Sequence, residues 1–377
     1  MIAILVVLYF LLFTYLFIVS YFVIGWARAR THNPNYHFYR YPTLTIIIPV
    51  RNEEQHIAKL LADIQSQTYP SEFIEVLVID DDSTDNTIEI INGLNYKNVK
   101  VIPLKVDEKI NSYKKRAITL GVNHSQAELI VTTDGDCRVP ENWIACIVDF
   151  YLKEDVQLIS APVSYHSEKN WFEKVQTIEF QYLICAAAAC INNGMPNTCN
   201  GANMIYTREL FHAVKGYEGI DNVASGDDEM LLHKVFKKNA ALVGFLKNRS
   251  AIVKTYAKKD FKSFLQQRKR WASKSTIFFD YRSSFLLSSV FLFNLSLLLS
   301  VPFSFYNHQI FIYLQVAFIF KFLFDSIVII QTLFFFKKLT YIPFIILVEL
   351  LYTPYIVTVG LLGNLSSTYI WKGRKVR

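Results

Sequence analysis

The sequence lacks both a cysteine framework and a glycine-rich phosphate loop. Its five cysteines are odd in number and include no C-x-x-C pair. This pattern argues against a disulfide framework and against a zinc site, and it predicts a reducing compartment. The 13 glycines form neither G-x-x-x-x-G-K nor G-x-G-x-x-G. A diphosphate ligand would therefore be held by a metal ion and cationic side chains rather than by a glycine loop.

Charge is absent from the first long segment, residues 2–25. As a helix, these 24 residues would be about 36 Å long, enough to cross a hydrocarbon core of about 30 Å. Basic residues follow the apolar run at Arg28 and Arg30, whereas a signal peptide carries them before it. Residues 1–27 are therefore predicted to be an uncleaved transmembrane anchor with a cytoplasmic C-terminal end.

The whole chain is apolar for a globular protein, with 52% hydrophobic residues and a mean hydropathy of +0.23. This composition excludes a disordered chain. Two further segments are predicted to be transmembrane helices, residues 285–305 and 310–336. Lys321 and Asp325 lie four residues apart in the second, and we expect them to form a satisfied pair inside the membrane. Too few intramembrane charges are present for a transporter.

A third apolar segment, residues 341–363, is interrupted by Pro343, Pro354 and Gly360, which predict a broken helix. It separates the basic pair Lys337 and Lys338 from a basic tail, residues 364–377. Both basic segments are expected to be cytoplasmic, which a single crossing would not allow. The segment is therefore predicted to be transmembrane or re-entrant, and the re-entrant form is favoured.

Positive charge is concentrated beside the apolar segments. The net charge is 39 − 32 = +7. Residues 258–274 contribute +6 and residues 364–377 contribute +4, which leaves −3 for the rest of the chain. This distribution predicts contact with anionic lipid or phosphate groups and argues against nucleic acid as a partner. Residues 258–276 have apolar and basic positions at helical spacing, which predicts an amphipathic helix in the membrane interface.

Residues 44–250 have a different pattern, in which short β-rich runs alternate with helical stretches. The predicted strands are residues 44–50, 75–80, 99–104, 128–133 and 157–162, and the predicted helices are residues 53–67, 85–94, 112–123 and 140–153. This alternation predicts an α/β fold with a mostly parallel sheet flanked by helices. Ligands of such sheets bind beyond the carboxyl ends of the strands.

Acidic residues follow two of these predicted strands, at residues 80–82 and at Asp134 and Asp136. A single acidic residue at a strand end is commonly a helix cap. Two carboxylates at i and i+2 are not needed for capping, and they suit Mg²⁺ or Mn²⁺ together with substrate phosphates. Another acidic cluster occupies residues 227–229. The cations Lys114, Lys115 and Arg116 could hold a diphosphate or could simply be a solvated helix start.

Seven motifs in this order resemble those of the family 2 glycosyltransferases. They are IIIPVRNEE at 46–54, VLVIDDDSTDNT at 76–87, the Lys114 stretch, TTDGDC at 132–137, NGANMIYTRE at 200–209, SGDDEMLL at 225–232 and QRKRW at 267–271. The last is similar to the QxxRW element of the cellulose, chitin and hyaluronan synthase branch. The resemblance covers roughly residues 44–275. It implies a membrane-bound inverting enzyme of the GT-A fold that uses a nucleotide-diphosphate sugar, with a UDP-sugar as the expected donor.

The resemblance also implies a role for individual residues. Donor binding would involve Pro49, Arg51, Glu53, Asp81, Lys114 and Asp134. Asp134 and Asp136 would be the DxD pair that holds Mg²⁺ or Mn²⁺, and Asp228 would be the catalytic base. The diphosphate and the acceptor would be covered by Gln267, Arg268, Arg270 and Trp271. The sequence departs from the family pattern at Asp82, where glycine is common, and at the GDD motif.

The function expected from these features is transfer of a sugar to a lipid-linked or membrane-proximal acceptor. The catalytic domain is expected at the cytoplasmic face of the plasma or inner membrane. QRKRW favours the alternative of a processive polysaccharide synthase, whereas the small number of predicted spans favours a single transfer. A non-catalytic membrane scaffold is disfavoured because Asp134, Asp136 and Asp228 are all retained.

Overall fold

The computed structural model describes residues 2–104, 112–221, 223, 225–272, 281–365, 369–371 and 374–376. The chain divides into two compact units made of separated segments. The sheet unit comprises Ala29–Ser167, Cys190–Tyr256 and Ile370–Arg377, and the helical unit comprises Met1–Arg28, Glu168–Ala189 and Ala257–Tyr369. The predicted catalytic segment 44–250 is thus interrupted, because residues 168–189 belong to the helical unit.

The centre of the sheet unit is a seven-stranded sheet. In chain order the strands of this unit are β1 (Leu44–Val50), β2 (Ile74–Asp80), β3 (Val99–Pro103), β4 (Leu129–Thr132), β5 (Leu158–Ser160), β6 (Val163–Tyr165), β7 (Met204–Thr207), β8 (Val243–Phe245), β9 (Val253–Thr255), β10 (Tyr369–Trp371) and β11 (Arg374–Val376). The large sheet has the order β3-β2-β1-β4-β7-β5-β8. Strands β1 to β4 are parallel, as are β5 and β8, whereas β7 is antiparallel to β4 and β5. The predicted mostly parallel sheet is confirmed.

The large sheet is buried because its strands are nearly continuous runs of aliphatic residues. In β1, six of seven side chains are buried, as expected for a central strand that is covered on both faces. The register aligns Val50 with Asp80 and Ile47 with Thr132. The carboxyl ends of β1, β2 and β4 therefore lie at the same edge of the sheet.

Six helices of the sheet unit follow or precede these strands. They are α2 (Ile57–Gln65), α3 (Thr87–Gly93), α4 (Tyr113–His124), α5 (Trp143–Lys153), α7 (Arg208–Ala213) and α8 (Asp227–Lys238). The first four match the predicted helices within a few residues at each end. An apolar face is buried in α2, where Ile57, Leu60, Leu61 and Ile64 lie at helical spacing.

The helical unit consists of α1 (Ile2–Arg28), α6 (Trp171–Asn192), α9 (Phe261–Ala272), α10 (Tyr281–Ser304), α11 (His308–Phe335) and α12 (Ile345–Leu365). Four of its helical segments are long and apolar enough to cross a membrane: Ile2–Arg28, Tyr281–Ser304, His308–Phe335 and Leu339–Gly363. The first three agree with the predicted transmembrane segments. Residues 364–377 and the end of the predicted interfacial segment, residues 273–276, lie outside the residues whose side chains are described.

A buried charge cluster links the helices of this unit. Lys321 lies 2.8 Å from Asp325 and also pairs with Glu349. Asp325 accepts hydrogen bonds from the hydroxyls of Tyr15, at 2.6 Å, and Tyr182, at 3.1 Å. The predicted pairing of Lys321 with Asp325 is confirmed, and residues from α1, α6 and α12 complete it.

Small residues allow α6 to pack closely against α1. A Cβ atom added at Gly25 would lie 2.7 Å from the Cα and Cβ atoms of Ala189. Most of the apolar segment at residues 180–191 is buried. Its packing against α1 explains why the helix joins the helical unit.

The segment predicted to be broken, residues 341–363, differs from the expectation. A 3₁₀ turn over Leu339–Phe344 contains Pro343, and α12 then continues through Pro354 and Gly360 without interruption. A Cβ atom at Gly360 would lie 2.7 Å from the ring of Phe291. The glycine therefore permits a close helix contact with α10 rather than a break.

The amphipathic helix predicted at residues 258–276 is observed as α9, but part of its apolar face is covered. Phe264 and Arg268 are buried, whereas Phe261 is exposed. The rings of Phe264 and Tyr355 have centroids 5.6 Å apart, so α9 packs against α12. The face that was expected to meet lipid thus contacts protein over much of its length.

Candidate active site

The first part of the site is formed where β1 and β2 end. Pro49 lies within β1, beyond Ile47, which is the last residue of β1 that pairs with β4. Because proline has no N–H, its place beyond this pairing means that no hydrogen bond to β4 is lost. Arg51 donates from Nη1 to the backbone carbonyls of Asp81 and Asp82. Asp81 is buried directly after β2. Arg51 therefore joins the two loops at the edge of the sheet.

The same two loops are connected by a series of reciprocal hydrogen bonds. Asn52, with φ of 56°, accepts from the amide of Thr84 at 2.8 Å. The amide of Glu53 donates to the hydroxyl of Thr87 at 2.7 Å. Burial would raise the pKa of Asp85, but its hydrogen bonds with Thr87 and with the amide of Glu54 hold it below the ordinary value. These bonds fix the two loops against each other.

The second part of the site is the turn after β4. Asp134 and Asp136 flank Gly135, and a Cβ atom at Gly135 would lie 3.0 Å from the Cγ atom of Glu53. The predicted donor residue Glu53 and the two aspartates are therefore neighbours. Cys137 lies beneath them, and its burial raises the pKa of the thiol, which remains neutral.

Lys114 connects this turn to the start of α8. Its Nζ atom lies 2.7 Å from Oδ1 of Asp134 and 3.4 Å from Oδ2 of Asp227. Burial would lower the pKa of Lys114, but the charges of Asp134, Asp227 and Asp228 raise it above the ordinary value. Lys114 is therefore fully charged at neutral pH and is no part of a solvated helix start.

The neighbours of Lys114 on α4 have different environments. Lys115 is buried and donates to the carbonyls of Ile220, at 2.7 Å, and Val223, at 2.8 Å. Arg116 is exposed. Lys114 thus contacts the acidic site, whereas Lys115 holds the backbone at Ile220 and Val223 ahead of α8.

The third part of the site is the first turn of α8. Gly226, with φ of 79°, begins the turn. Asp228 accepts a hydrogen bond on each oxygen, at 2.9 Å from the amide of Gly201 and at 2.8 Å from the amide of Glu229. Both bonds orient the carboxylate. A Cβ atom at Gly201 would lie 3.0 Å from Oδ2 of Asp227 and 3.4 Å from Lys114 Nζ.

Three groups at this site have no role assigned by the sequence motifs. They are the carboxylate of Asp227, the amide of Gly201, and Thr198, whose hydroxyl donates to Glu229 at 2.6 Å. Asp227 and Gly201 do lie within the SGDDEMLL and NGANMIYTRE motifs. The run of three acidic residues at 227–229 was the sequence feature that could have indicated a role for Asp227. No pattern indicated the amide of Gly201, since backbone groups carry no sequence signature.

The remaining predicted residues, at 267–271, lie in the helical unit. Arg268 is buried and pairs with Glu179, and its guanidinium lies 4.1 Å from the ring centroid of Trp271. Gln267 accepts from Nη1 of Arg268 at 2.9 Å. Arg270 is half-buried. The structure thus brings together Glu53, Lys114, Asp134, Asp136 and Asp228, while Arg268 is occupied by a carboxylate on α6.

The acidic site has the donor set that a hard divalent cation prefers. One lysine, Lys114, faces the three carboxylates Asp134, Asp227 and Asp228, and this leaves a local excess of two negative charges. Among the described residues no group of three or more His, Cys, Asp or Glu side chains is arranged as a complete metal site. Mg²⁺ and Mn²⁺ are commonly held by one or two carboxylates and by substrate phosphates. Asp134 and Asp136 fit that type of partial site.

Comparison with known proteins agrees with this geometry. Residues 45–214 match the family described as Glycosyl transferase family 2. This region is thus similar to family 2 glycosyltransferase domains. The match contains the loops after β1, β2 and β4, and it ends before the first turn of α8.

Two curated relatives are similar to the domain. Glycosyltransferase AglE of Haloferax volcanii is 35% identical over 126 residues, which are 33% of this chain and 40% of the relative. Beta-monoglucosyldiacylglycerol synthase of Nostoc sp. is 28% identical over 139 residues, which are 37% of this chain and 30% of the relative. The matched stretch thus spans less than half the length of either relative.

One solved structure is similar over nearly the whole chain. The mannosyltransferase PcManGT of Pyrobaculum calidifontis, in complex with GDP-Man and Mn²⁺, aligns over 97% of each chain with a TM-score of 0.59 and 14% identity. At this identity the likeness concerns the fold. The α/β sheet with its flanking helices is the GT-A fold that the sequence motifs implied.

Proposed function

We propose that this protein is an inverting glycosyltransferase that transfers a sugar from a nucleotide-diphosphate donor to a lipid-linked or membrane-proximal acceptor. The observation that carries the proposal is the cluster of Lys114, Asp134, Asp227 and Asp228 beside Glu53. Glu53, Lys114 and Asp134 lie within the stretch that is similar to family 2 glycosyltransferases. The names of the relatives support both parts, since one is a glycosyltransferase and one is a synthase of a glycosylated diacylglycerol. The four long apolar helices support a membrane location.

In the proposed reaction Asp228 is the general base. The acceptor oxygen bonds to the anomeric carbon while the bond from that carbon to the diphosphate breaks, and the acceptor proton passes to the Asp228 carboxylate. The hydrogen bonds from Gly201 and Glu229 orient that carboxylate and leave further lone pairs for the proton. A single displacement with one base inverts the anomeric configuration.

The other charged residues act on the donor. Lys114 holds Asp134 in place and remains cationic, so it can also attract the diphosphate. Asp134 and Asp136 would hold Mg²⁺ or Mn²⁺, which when bound supplies positive charge against the leaving diphosphate. Pro49, Arg51, Glu53 and Asp81 would shape the pocket for the nucleotide. A UDP-sugar remains the proposed donor, and a GDP-sugar is the competing one because PcManGT binds GDP-Man.

We propose that the residues at 267–271 act on the acceptor side in two different ways. Arg270 and Trp271 would contact the acceptor or the diphosphate, as the resemblance implies. Arg268 would instead hold the helix, because Glu179 occupies its guanidinium. The sheet unit is proposed to lie on the cytoplasmic side of the membrane, as the basic residues after α1 suggest.

The test is nucleotide release by the purified full-length protein in lipid nanodiscs, with Mg²⁺ or Mn²⁺, across UDP- and GDP-sugars. Addition of one sugar to extracted lipid would support the proposal, and NMR of the product would give the anomeric configuration. A ladder of products would favour the processive synthase that QRKRW suggests. Lack of release with every donor would favour a membrane scaffold.

The matched variants are Asp228→Asn and Asp155→Asn. Asp228→Asn should abolish transfer and leave nucleotide binding largely intact, because it removes the base while keeping the shape of the side chain. Asp155 is exposed and lies outside the site, so Asp155→Asn should be fully active. Turnover by Asp228→Asn at the normal rate would exclude Asp228 as the base.

A further inference from the structure

The helical unit contains an apolar cavity of about 580 Å³. Three helices form its walls: α6 contributes Val175, α9 contributes Phe264 and Leu265, and α12 contributes Leu351 and Tyr355. Cavities of this volume are typical of small-molecule sites, which range over about 300–1,000 Å³. None of the residues of the acidic site lines this cavity.

Polar residues on the cavity wall form hydrogen bonds and an ion pair with neighbouring groups. The amide of Gln176 donates to the carbonyl of Lys258 at 2.8 Å and accepts from the amide of Lys258 at 3.0 Å. Glu179 pairs with Arg268 and accepts from the hydroxyl of Tyr355 at 3.0 Å. With these groups occupied, the interior is hydrocarbon-like. Water is poorly held in such a space, since an ordered water needs two to four polar partners.

The rim of the cavity has the features of a membrane interface. Trp171 and Phe261 line it and are 53% and 65% exposed, and exposed aromatics are enriched at the level of lipid headgroups. One wall, α12, belongs to a segment apolar enough to span a membrane. Lys259 also lines the cavity, and among the described residues no carboxylate forms a salt bridge with it. Asp260, beside it, is instead engaged by Ser263 through two hydrogen bonds.

We propose that this cavity holds the hydrocarbon chain of an anionic lipid whose headgroup phosphate contacts Lys259. This proposal deepens and rests on the proposed function, since the lipid would be the acceptor of the sugar. The apolar interior suits an alkyl or isoprenoid chain, and the ammonium group of Lys259 at the rim complements a phosphate. The basic charge of residues 258–274 would further attract an anionic lipid to this surface.

The test uses hexadecyl phosphate with a diazirine in its chain, added to the full-length protein in nanodiscs without donor. After irradiation, the labelled peptides are mapped by mass spectrometry. Labels are expected on α6, α9 and α12 at the cavity. Hexadecanol with the same diazirine should label the cavity less, because it lacks the charge that Lys259 binds. Labels spread evenly over the lipid-exposed surface, or equal labelling by both probes, would overturn the proposal.

The matched variants are Leu351→Trp, which fills the cavity, and Leu350→Trp, which adds the same ring at an exposed neighbouring position. Leu351→Trp should reduce cavity labelling about tenfold and raise the KM for lipid acceptor with little change in the KM for donor. Leu350→Trp should match the wild type. If Leu351→Trp does not fold, Val175→Met fills the same space with a smaller change.

Labelling needs no catalysis, so the two proposals can fail separately. Normal labelling at the cavity in a protein that transfers no sugar would contradict only the proposed function. Efficient transfer to lipid by a Leu351→Trp variant with unchanged labelling would contradict only the cavity proposal.

Discussion

At the scale of single residues, Lys114 is the centre of the acidic site. Replacing it by methionine removes the cation between Asp134 and Asp227 and leaves the carboxylates to repel one another. We expect Lys114→Met to lower kcat/KM about 100-fold, the usual effect of losing one charged stabilising group. Arg116→Met is the control, because Arg116 is exposed on the same helix. Equal activities of the two variants would contradict a role of Lys114 in the acidic site.

The raised pKa of Lys114 makes a prediction about pH. A raised pKa in the folded state means that the stabilising contribution is fully present below the ordinary lysine pKa. It is lost only as the pH rises through the folded-state value. We therefore expect the pH–rate profile between pH 6 and about 9 to be independent of Lys114, with Lys114→Arg giving the same profile shape as the wild type. A basic limb within that range that shifts in Lys114→Arg would contradict this.

Gly201 is expected to be intolerant of any side chain. A methyl group there would approach Oδ2 of Asp227 to 3.0 Å, so the carboxylate must move. Gly201→Ala should destabilise the protein by about 1–3 kcal/mol and reduce turnover, because the amide that orients Asp228 is displaced. Gly93→Ala is the control, since its Cβ atom would meet nothing within 4 Å. Thermal unfolding and nucleotide release measure both effects, and a fully active Gly201→Ala would show that the amide is not needed.

Motifs predicted the charged residues of the site better than its backbone. Asp134, Asp136 and Lys114 could be selected because carboxylates and lysines at strand ends suggest cation and phosphate chemistry. The different contacts of Asp227 with Lys114 and of Asp228 with the Gly201 amide could not, since they depend on which side of the helix turn faces Gly201. Packing distances of this kind arise only when segments far apart in sequence meet.

At the scale of elements, α9 contains two arginines with different proposed roles: Arg268 holds the helix, and Arg270 contacts the acceptor or the diphosphate. A buried arginine that pairs with a carboxylate is costly to truncate, about 3–5 kcal/mol, because the partner remains charged and unpaired. Arg268→Met should therefore lower the unfolding temperature markedly, whereas Lys269→Met on the same helix should not. The double variant Arg268→Met with Glu179→Gln should recover part of the loss.

This set of variants also separates structure from substrate binding. If Arg268 held the diphosphate, its replacement would raise the KM for donor while leaving the unfolding temperature unchanged. If Arg268 instead holds the helix, its replacement should lower the unfolding temperature, and the double variant should recover part of that loss. Retained stability in Arg268→Met would contradict the structural role.

Strands and helices of the sheet unit were predictable because each is a local pattern. The aliphatic run of β1 and the helical periodicity of α5 are visible in any short window of sequence. The course of α12 was less predictable, since Pro354 and Gly360 read as helix breakers. Its continuity depends on contacts with α9 and α10 that the local sequence does not contain.

At the scale of the whole molecule, hydropathy predicted the apolar segments but not how the chain is shared between the two units. The segment 168–189 carries no transmembrane signature of its own, and it was included in the catalytic domain. It joins the helical unit because Ala189 meets Gly25 and because Tyr182 reaches Asp325. Membership of a unit is thus a matter of long-range packing, which hydropathy alone does not report.

The arrangement of α9 and α12 bears on the membrane topology. Phe264 on α9 contacts Tyr355 on α12, and Ala272 on α9 would lie 2.6 Å from a Cβ atom at Gly363 on α12. The second contact is eight residues after the first on both helices. The second half of α12 therefore runs beside α9 in the same direction. If α9 lies in the interface, as its basic residues favour, that half of α12 lies there too rather than perpendicular to the membrane.

We therefore expect Lys337 and the tail after α12 to lie on the same side of the membrane. Single cysteines introduced as Lys337→Cys and Arg374→Cys should both react with a membrane-impermeant maleimide from the cytoplasmic side of oriented vesicles. Tyr306→Cys, at the 92% exposed turn between α10 and α11, should react from the other side. Four of the five native cysteines are buried, so the background comes from Cys199. Labelling of the two basic positions from opposite sides would mean that α12 crosses the membrane completely, and the positive-inside rule would then fail at the tail.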